Sequence, residues 1–133
     1  LAYGSYVAGT PSITLPLMGT ATYSGSMLGA VKERGQDPRF ATGIFTNAWN
    51  FQNRTGNFNA TFDNRAYSGN TAGTGAPGST TFNGTFNSNT PGRSGTLNGA
   101  FFSSPTDAAA YQAGNFSIRG SGYRAGGVFA GQR

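Results

Sequence analysis

The stretch Thr81-Phe82-Asn83-Gly84-Thr85-Phe86 places two phenylalanines four residues apart, with a glycine midway and polar residues between. On a strand, residues i, i+2 and i+4 share a face, so Phe82, Gly84 and Phe86 point one way and Thr81, Asn83 and Thr85 the other. The same pattern recurs in Gly56-Asn57-Phe58-Asn59-Ala60-Thr61-Phe62 and Thr96-Leu97-Asn98-Gly99-Ala100-Phe101, and more loosely in Gly114-Asn115-Phe116-Ser117-Ile118. Phe58 with Phe62, Phe82 with Phe86, and Leu97 with Phe101 therefore point inward in pairs, with Ala60, Gly84 and Gly99 between them. Alternating large with small side chains fills the interior of a narrow barrel, and glycine relaxes a strand where the sheet must curl.

On either side of this segment, period-two alternation predicts strands over residues 1–7, 19–31, 40–51, 55–62, 65–74, 80–87, 94–102, 114–119 and 123–130. The links carry turn chemistry: Asn53-Arg54-Thr55-Gly56, Asp63-Asn64-Arg65, Gly75-Ala76-Pro77-Gly78 and Asn89-Thr90-Pro91-Gly92 supply residues that tolerate positive φ or preset a bend. Links this short favour antiparallel neighbours, and closing such a meander into a barrel removes its edges. Residues 1–18, with Pro11 and Pro16, read as an opening strand and an irregular crossing segment, and residues 19–133 as a single barrel domain. One break differs. Ser104-Pro105-Thr106-Asp107 resembles a helix start, and Ala108-Ala109-Ala110-Tyr111-Gln112-Ala113 before Gly114 extends it, so a short helix is expected near residues 105–112.

The 133 residues carry 36% hydrophobic and only 10% charged residues, yet 11 Phe, 6 Tyr and 1 Trp at regular spacing, which argues for a packed core over disorder. With no Cys and no His, thiol nucleophiles, disulfides, Cys/His zinc sites and imidazole bases are excluded. The net charge of +5 comes mostly from Arg scattered over turns and strand ends, without the basic stripe that nucleic-acid binding needs. No apolar run is long enough for a membrane-spanning helix. The chain starts at Leu1, the expectation for an exported product whose targeting segment lies upstream.

Candidate chemistry is sparse. Glu33 and Asp37 are the acids closest in sequence, but they sit in Lys32-Glu33-Arg34-Gly35-Gln36-Asp37-Pro38-Arg39, where surrounding cations oppose the raised pKa a general acid needs. Neither Asp37 nor Asp63 belongs to a repeated acidic loop of the calcium-binding kind. Lys32 is the chain's sole lysine and would have to serve as base to any serine nucleophile from a charged loop. Tyr3, Tyr6, Tyr123, Arg124 and Trp49 could stack a base, a sugar or a porphyrin, although strand aromatics serve more often as core. No catalytic residue, metal ligand or cofactor is assigned from these residues.

The C-terminal third carries a recognisable pattern: Ser94-Gly95-Thr96-Leu97-Asn98-Gly99-Ala100-Phe101-Phe102, a short insert with Pro and Ala, Ala113-Gly114-Asn115-Phe116-Ser117-Ile118, and Tyr123-Arg124-Ala125-Gly126-Gly127-Val128-Phe129-Ala130-Gly131. It resembles the β-barrel domain of the transferrin-binding protein B family of bacterial surface lipoproteins. The resemblance covers residues 94–131 and extends as a strand pattern from about residue 19. It implies an eight-stranded antiparallel up-and-down barrel, Gram-negative origin, export to the outer membrane or cell surface with the periplasm as alternative, and attachment through an upstream lipid anchor. It does not imply transferrin as ligand, because the family's transferrin-binding members are larger, with two lobes and long loops. No binding residue is carried over.

Two functions stand as expectations. The first is a non-enzymatic barrel acting as a protein-binding, accessory or structural module of the cell envelope, with a protein partner, an envelope assembly or copies of itself as partner. The second is a carrier of haem or a siderophore, with Tyr3, Tyr123, Met18 or Met27 as iron contacts in place of the missing His.

Overall fold

The computed structural model describes residues 15–76 and 78–133, and the backbone of residues 10 and 11. The strands are β1 (Thr10–Pro11), β2 (Thr20–Glu33), β3 (Arg39–Asn50), β4 (Thr55–Phe62), β5 (Arg65–Gly73), β6 (Thr81–Ser88), β7 (Arg93–Ser104), β8 (Asp107–Gly120) and β9 (Tyr123–Gln132). Each of β2 to β9 pairs antiparallel with the next, and β9 returns to pair with β2 from Ser24↔Gln132 to Glu33↔Tyr123. This closes an eight-stranded barrel and leaves none of these eight strands as an edge. β1 adds Thr10↔Ser103 and Pro11↔Phe102 at the end of β7, past Ala100 where β6 stops. The opening strand expected over residues 1–7 lies outside the described residues.

Alternation does what the repeat predicts. In β4, Phe58, Ala60 and Phe62 are buried while Thr55, Asn57, Asn59 and Thr61 are exposed. Phe82, Phe86, Leu97 and Phe101 join them in one continuous core with Tyr23, Met27, Phe45, Trp49, Phe116 and Phe129. The rings interlock across the barrel: Phe45 meets Phe58 and Phe129, Phe62 meets Phe116, and Trp49 meets Phe82 and Phe101, with centroids 5.1–5.9 Å apart. Edge-to-face and offset contacts at these distances add to the burial of the rings themselves.

Closure depends on backbone approach at the β2–β9 seam. Gly25 faces Gly131 and Gly29 faces Gly127, and a Cβ at Gly127 would run into the backbone of Leu28 and Gly29. At the β4–β5 turn, Phe62 pairs with Arg65 around two residues, Asp63 and Asn64, with φ of 52° and 62°. A two-residue hairpin loop of this kind needs positive φ at both positions, which Asp and Asn tolerate.

The short helix expected near residues 105–112 is absent: this stretch is a turn followed by β8, and there is no helix among the described residues. The capping side chains are used, but by a hairpin. Ser104 Oγ accepts from the amide of Asp107 at 3.1 Å, and Asp107 Oδ1 accepts from the amide of Ala109 at 2.9 Å. Helix N-termini and tight turns share this local chemistry. Neighbouring strands decide the course of the chain beyond the turn: β7 and β9 both extend to this end, and Tyr111, Gln112 and Ala113 pair with Phe102, Phe101 and Ala100 on one side and Gln132, Gly131 and Ala130 on the other. A helix would leave those ladder groups of β7 and β9 unpaired. Tyr23 locks the stretch further by donating its hydroxyl to the Ala109 carbonyl at 2.5 Å.

Candidate binding surface

Four hairpin turns gather at one end of the barrel, and side chains flanking all four share a polar network. Arg39 donates to both carboxylate oxygens of Asp63 at 2.7 and 2.8 Å and to Glu33 at 2.7 Å. Tyr123 donates its hydroxyl to Asp63 at 2.9 Å, and the Arg93 guanidinium lies 3.4 Å above the Tyr123 ring. Arg39 holds the Asp63 carboxyl below the usual carboxylate range, with Tyr123 adding to the effect against partial burial. Burial, then the hydrogen bond to Asp63, pushes the Tyr123 phenol well above its ordinary value. These groups are tied in fixed charge states, which is the behaviour of a structural clasp rather than of a proton-transfer pair.

The candidate chemistry read from the sequence is not assembled. Glu33 turns to Arg39 while Asp37 is exposed in the turn, so no carboxylate pair forms. The Lys32 ammonium donates to the carbonyls of Glu33 and Gln36. Trp49 is buried among rings, and Arg124 is exposed on the outside of the barrel. Tyr3 and Tyr6 lie outside the described residues. Of the iron contacts considered, Met27 is buried mid-strand, Met18 is 73% exposed ahead of β2, and Tyr123 is committed to Asp63. Met27 faces Phe129, so Tyr123 lies six residues away along β9, roughly 20 Å at the rise of a strand.

Inside the barrel, Asn47 donates to Gln112 at 3.0 Å and accepts from Thr71 at 2.9 Å, a buried polar bridge between β3, β8 and β5. Beside it Trp49 Nε1 and Gln112 Nε2 are buried without a hydrogen-bond partner among the described residues.

The outer wall is where surface chemistry varies. Over β4 to β7 most outward residues are uncharged amides and hydroxyls, in rows such as Asn57–Asn70–Thr85–Thr96, with Ala66, Ala72, Ala100 and Phe102 among them. On this side of the barrel the polar exterior is the reverse of the apolar band that a membrane-spanning barrel carries outside. The wall of β3, β2, β9 and β8 differs. Phe40 and Ile44 stand 80% and 67% exposed on β3, four residues apart and therefore on one ridge. The rows beside them are small or apolar: Phe40 faces Ala30, which faces Gly126; Leu28 faces Val128; Ile44 faces Ser26, which faces Ala130. At the turn end of this wall, Lys32, Arg124 and Arg119 lie in one row across three strands and rim a groove of about 380 Å³.

Sequence reading missed this grouping. Arg119 and Arg124 flank the turn that joins β8 to β9, so their pairing is visible from hairpin symmetry alone; Lys32 joins them only because β9 closes onto β2. Phe40 and Ile44 alternate with Phe45 and Trp49 along β3, so the two rings that enter the core leave them on the outer face.

No protein-family model and no curated protein matches this chain. Among solved structures, isotype 1 transferrin binding protein B from serogroup B Neisseria meningitidis is similar, with a TM-score of 0.67 at 16% identity, over 94% of this chain and 27% of that one. The chain thus spans about a quarter of the length of that protein, and what the two share is a barrel fold like that of transferrin binding protein B.

Proposed function

We propose that this barrel is a non-catalytic protein-binding module of a bacterial cell envelope, and that it meets its partner through the outer wall of β3, β2 and β9. The observation that carries the reading is the ridge of Phe40 and Ile44, two large apolar side chains held in water on a barrel whose other large side chains are mostly inside. A contiguous apolar strip rimmed by polar residues is the usual mark of a protein contact. The structural neighbour, named for binding transferrin, supplies a precedent for a protein-binding role on this fold. Transferrin itself is not proposed as the partner. Export to the outer membrane or cell surface, with residues 1–18 leading into a barrel domain of residues 19–133, belongs to the same proposal.

The carrier reading has no support of this kind, since the interior where a ligand would sit is filled by interlocking rings. The test is gentle extraction of the native protein, followed by size-exclusion chromatography with mass spectrometry. Wild type should elute with a defined protein neighbour, and the F40S/I44S variant should elute without it. Co-elution unchanged by the substitutions would refute the wall as the docking site.

A further inference from the structure

The row Lys32–Arg124–Arg119 is unusual in its charge balance. Lys32 faces Arg124 across β2 and β9, and Arg124 faces Arg119 across β9 and β8. Arg34 joins them from the adjoining turn, its guanidinium close to Gly122. Like charges placed directly opposite on neighbouring strands destabilise a sheet. The acids that could offset them are engaged elsewhere: Glu33 and Asp63 with Arg39, and Asp107 with Arg133. Asp37, exposed ahead of Pro38, forms no ion pair among the described residues. Much of the net charge of +5 is therefore concentrated at one corner of the barrel.

The shape beneath the row is concave. Ala30, Pro38 and Gly126 line the groove, with Lys32, Arg119 and Arg124 around it. Small side chains there let an incoming chain reach the sheet surface, and the Phe40 ridge begins beside Ala30. Strands pair on both sides here, so backbone amides are consumed and recognition falls to the cationic side chains.

We infer that this groove takes an extended acidic segment of the partner, with carboxylates on the Lys32–Arg124–Arg119 row and apolar side chains against Phe40 and Ile44. The inference rests on the reading of this wall as the docking face, and it adds the chemistry of what docks. Arg forks bind carboxylates in bidentate fashion, and an extended chain repeats its side chains on one face about every 7 Å, a spacing that long Lys and Arg stems can span. A concave trough beside a raised ridge fits a chain with side chains better than the flat plane of a lipid surface.

The probe is a short fluorescein-labelled peptide of alternating glutamate and leucine, titrated into the whole chain with anisotropy as readout. Saturable binding is expected, weakening as salt rises and falling at least about tenfold in R119Q/R124Q. The variant's unfolding midpoint is measured alongside, so that lost binding is not lost folding. No saturable binding up to about 1 mM, or equal binding by the variant, would overturn the inference. So would co-sedimentation with phosphatidylglycerol vesicles, or binding of a single-stranded oligonucleotide, in place of the peptide. The envelope extraction separates the two claims: a complex lost in F40S/I44S but intact in R119Q/R124Q leaves the docking wall standing and removes the acidic partner.

Discussion

Arg124 stands directly opposite Lys32 on one side and Arg119 on the other, so that one exposed residue of β9 meets a like charge across both of its strand pairings. The fold gains nothing from this arrangement and loses some stability to it. Replacing Arg124 with Gln should therefore raise the unfolding midpoint by roughly 1–4 °C at low salt. The gain should shrink in molar salt, where charges this exposed are screened. Thermal unfolding followed by circular dichroism at two salt concentrations reads both effects; a variant less stable than wild type would show that the row is compensated.

The Tyr23 hydroxyl donates to the Ala109 carbonyl and holds the start of β8 in the barrel. Tyr23→Phe should cost about 1–2 kcal/mol in urea unfolding, the range for leaving a buried acceptor without its donor. Amide exchange should quicken first at the start of β8, ahead of the rest of the barrel.

The clasp of Arg39, Asp63 and Tyr123 makes stability depend on pH in a fixed direction. The Asp63 carboxyl is held below its ordinary value, so its contribution is fully present above the unfolded-state value near about 4 and is lost as pH falls through the lower folded-state value. Asp63→Asn should be less stable than wild type at pH 7 by about 1 kcal/mol, and the difference should shrink as pH falls below the ordinary carboxylate range. Denaturant midpoints measured across that range test it.

At the alkaline end the sign reverses. Tyr23 and Tyr123 both have phenols raised above their ordinary value, chiefly by burial, so the stability they contribute is present below about pH 10 and lost as they ionise above it. In a spectrophotometric titration these two should ionise well above the ordinary tyrosine value, together with unfolding. Titration of all tyrosines as one group near about pH 10 would be at odds with their burial.

The extent to which this molecule can be read from its sequence varies by element. Phe58, Phe62, Phe82, Phe86, Leu97 and Phe101 announce their inward face because a strand's period is two and their spacing is four. Asp63 and Asn64 announce a turn because few other residues adopt positive φ. Ser104 to Asp107 misleads, because the side-chain bonds that cap a helix also close a hairpin, and only the distant edges of β7 and β9 distinguish the two. The basic row is hidden for the same reason: 87 positions separate Lys32 from Arg119, and barrel closure alone brings them to one wall. Local chemistry is written in the sequence, whereas surface constellations are written in the register.

Docking on the wall of β3, β2 and β9 can be read directly by placing a photo-crosslinking phenylalanine analogue at Phe40 or Ile44, and at Asn57 or Thr85 on the opposite wall, with illumination in the native envelope. One discrete crosslinked protein product is expected from positions 40 and 44, and none from positions 57 and 85. A product from the amide and hydroxyl wall, with positions 40 and 44 silent, would rule out this docking face.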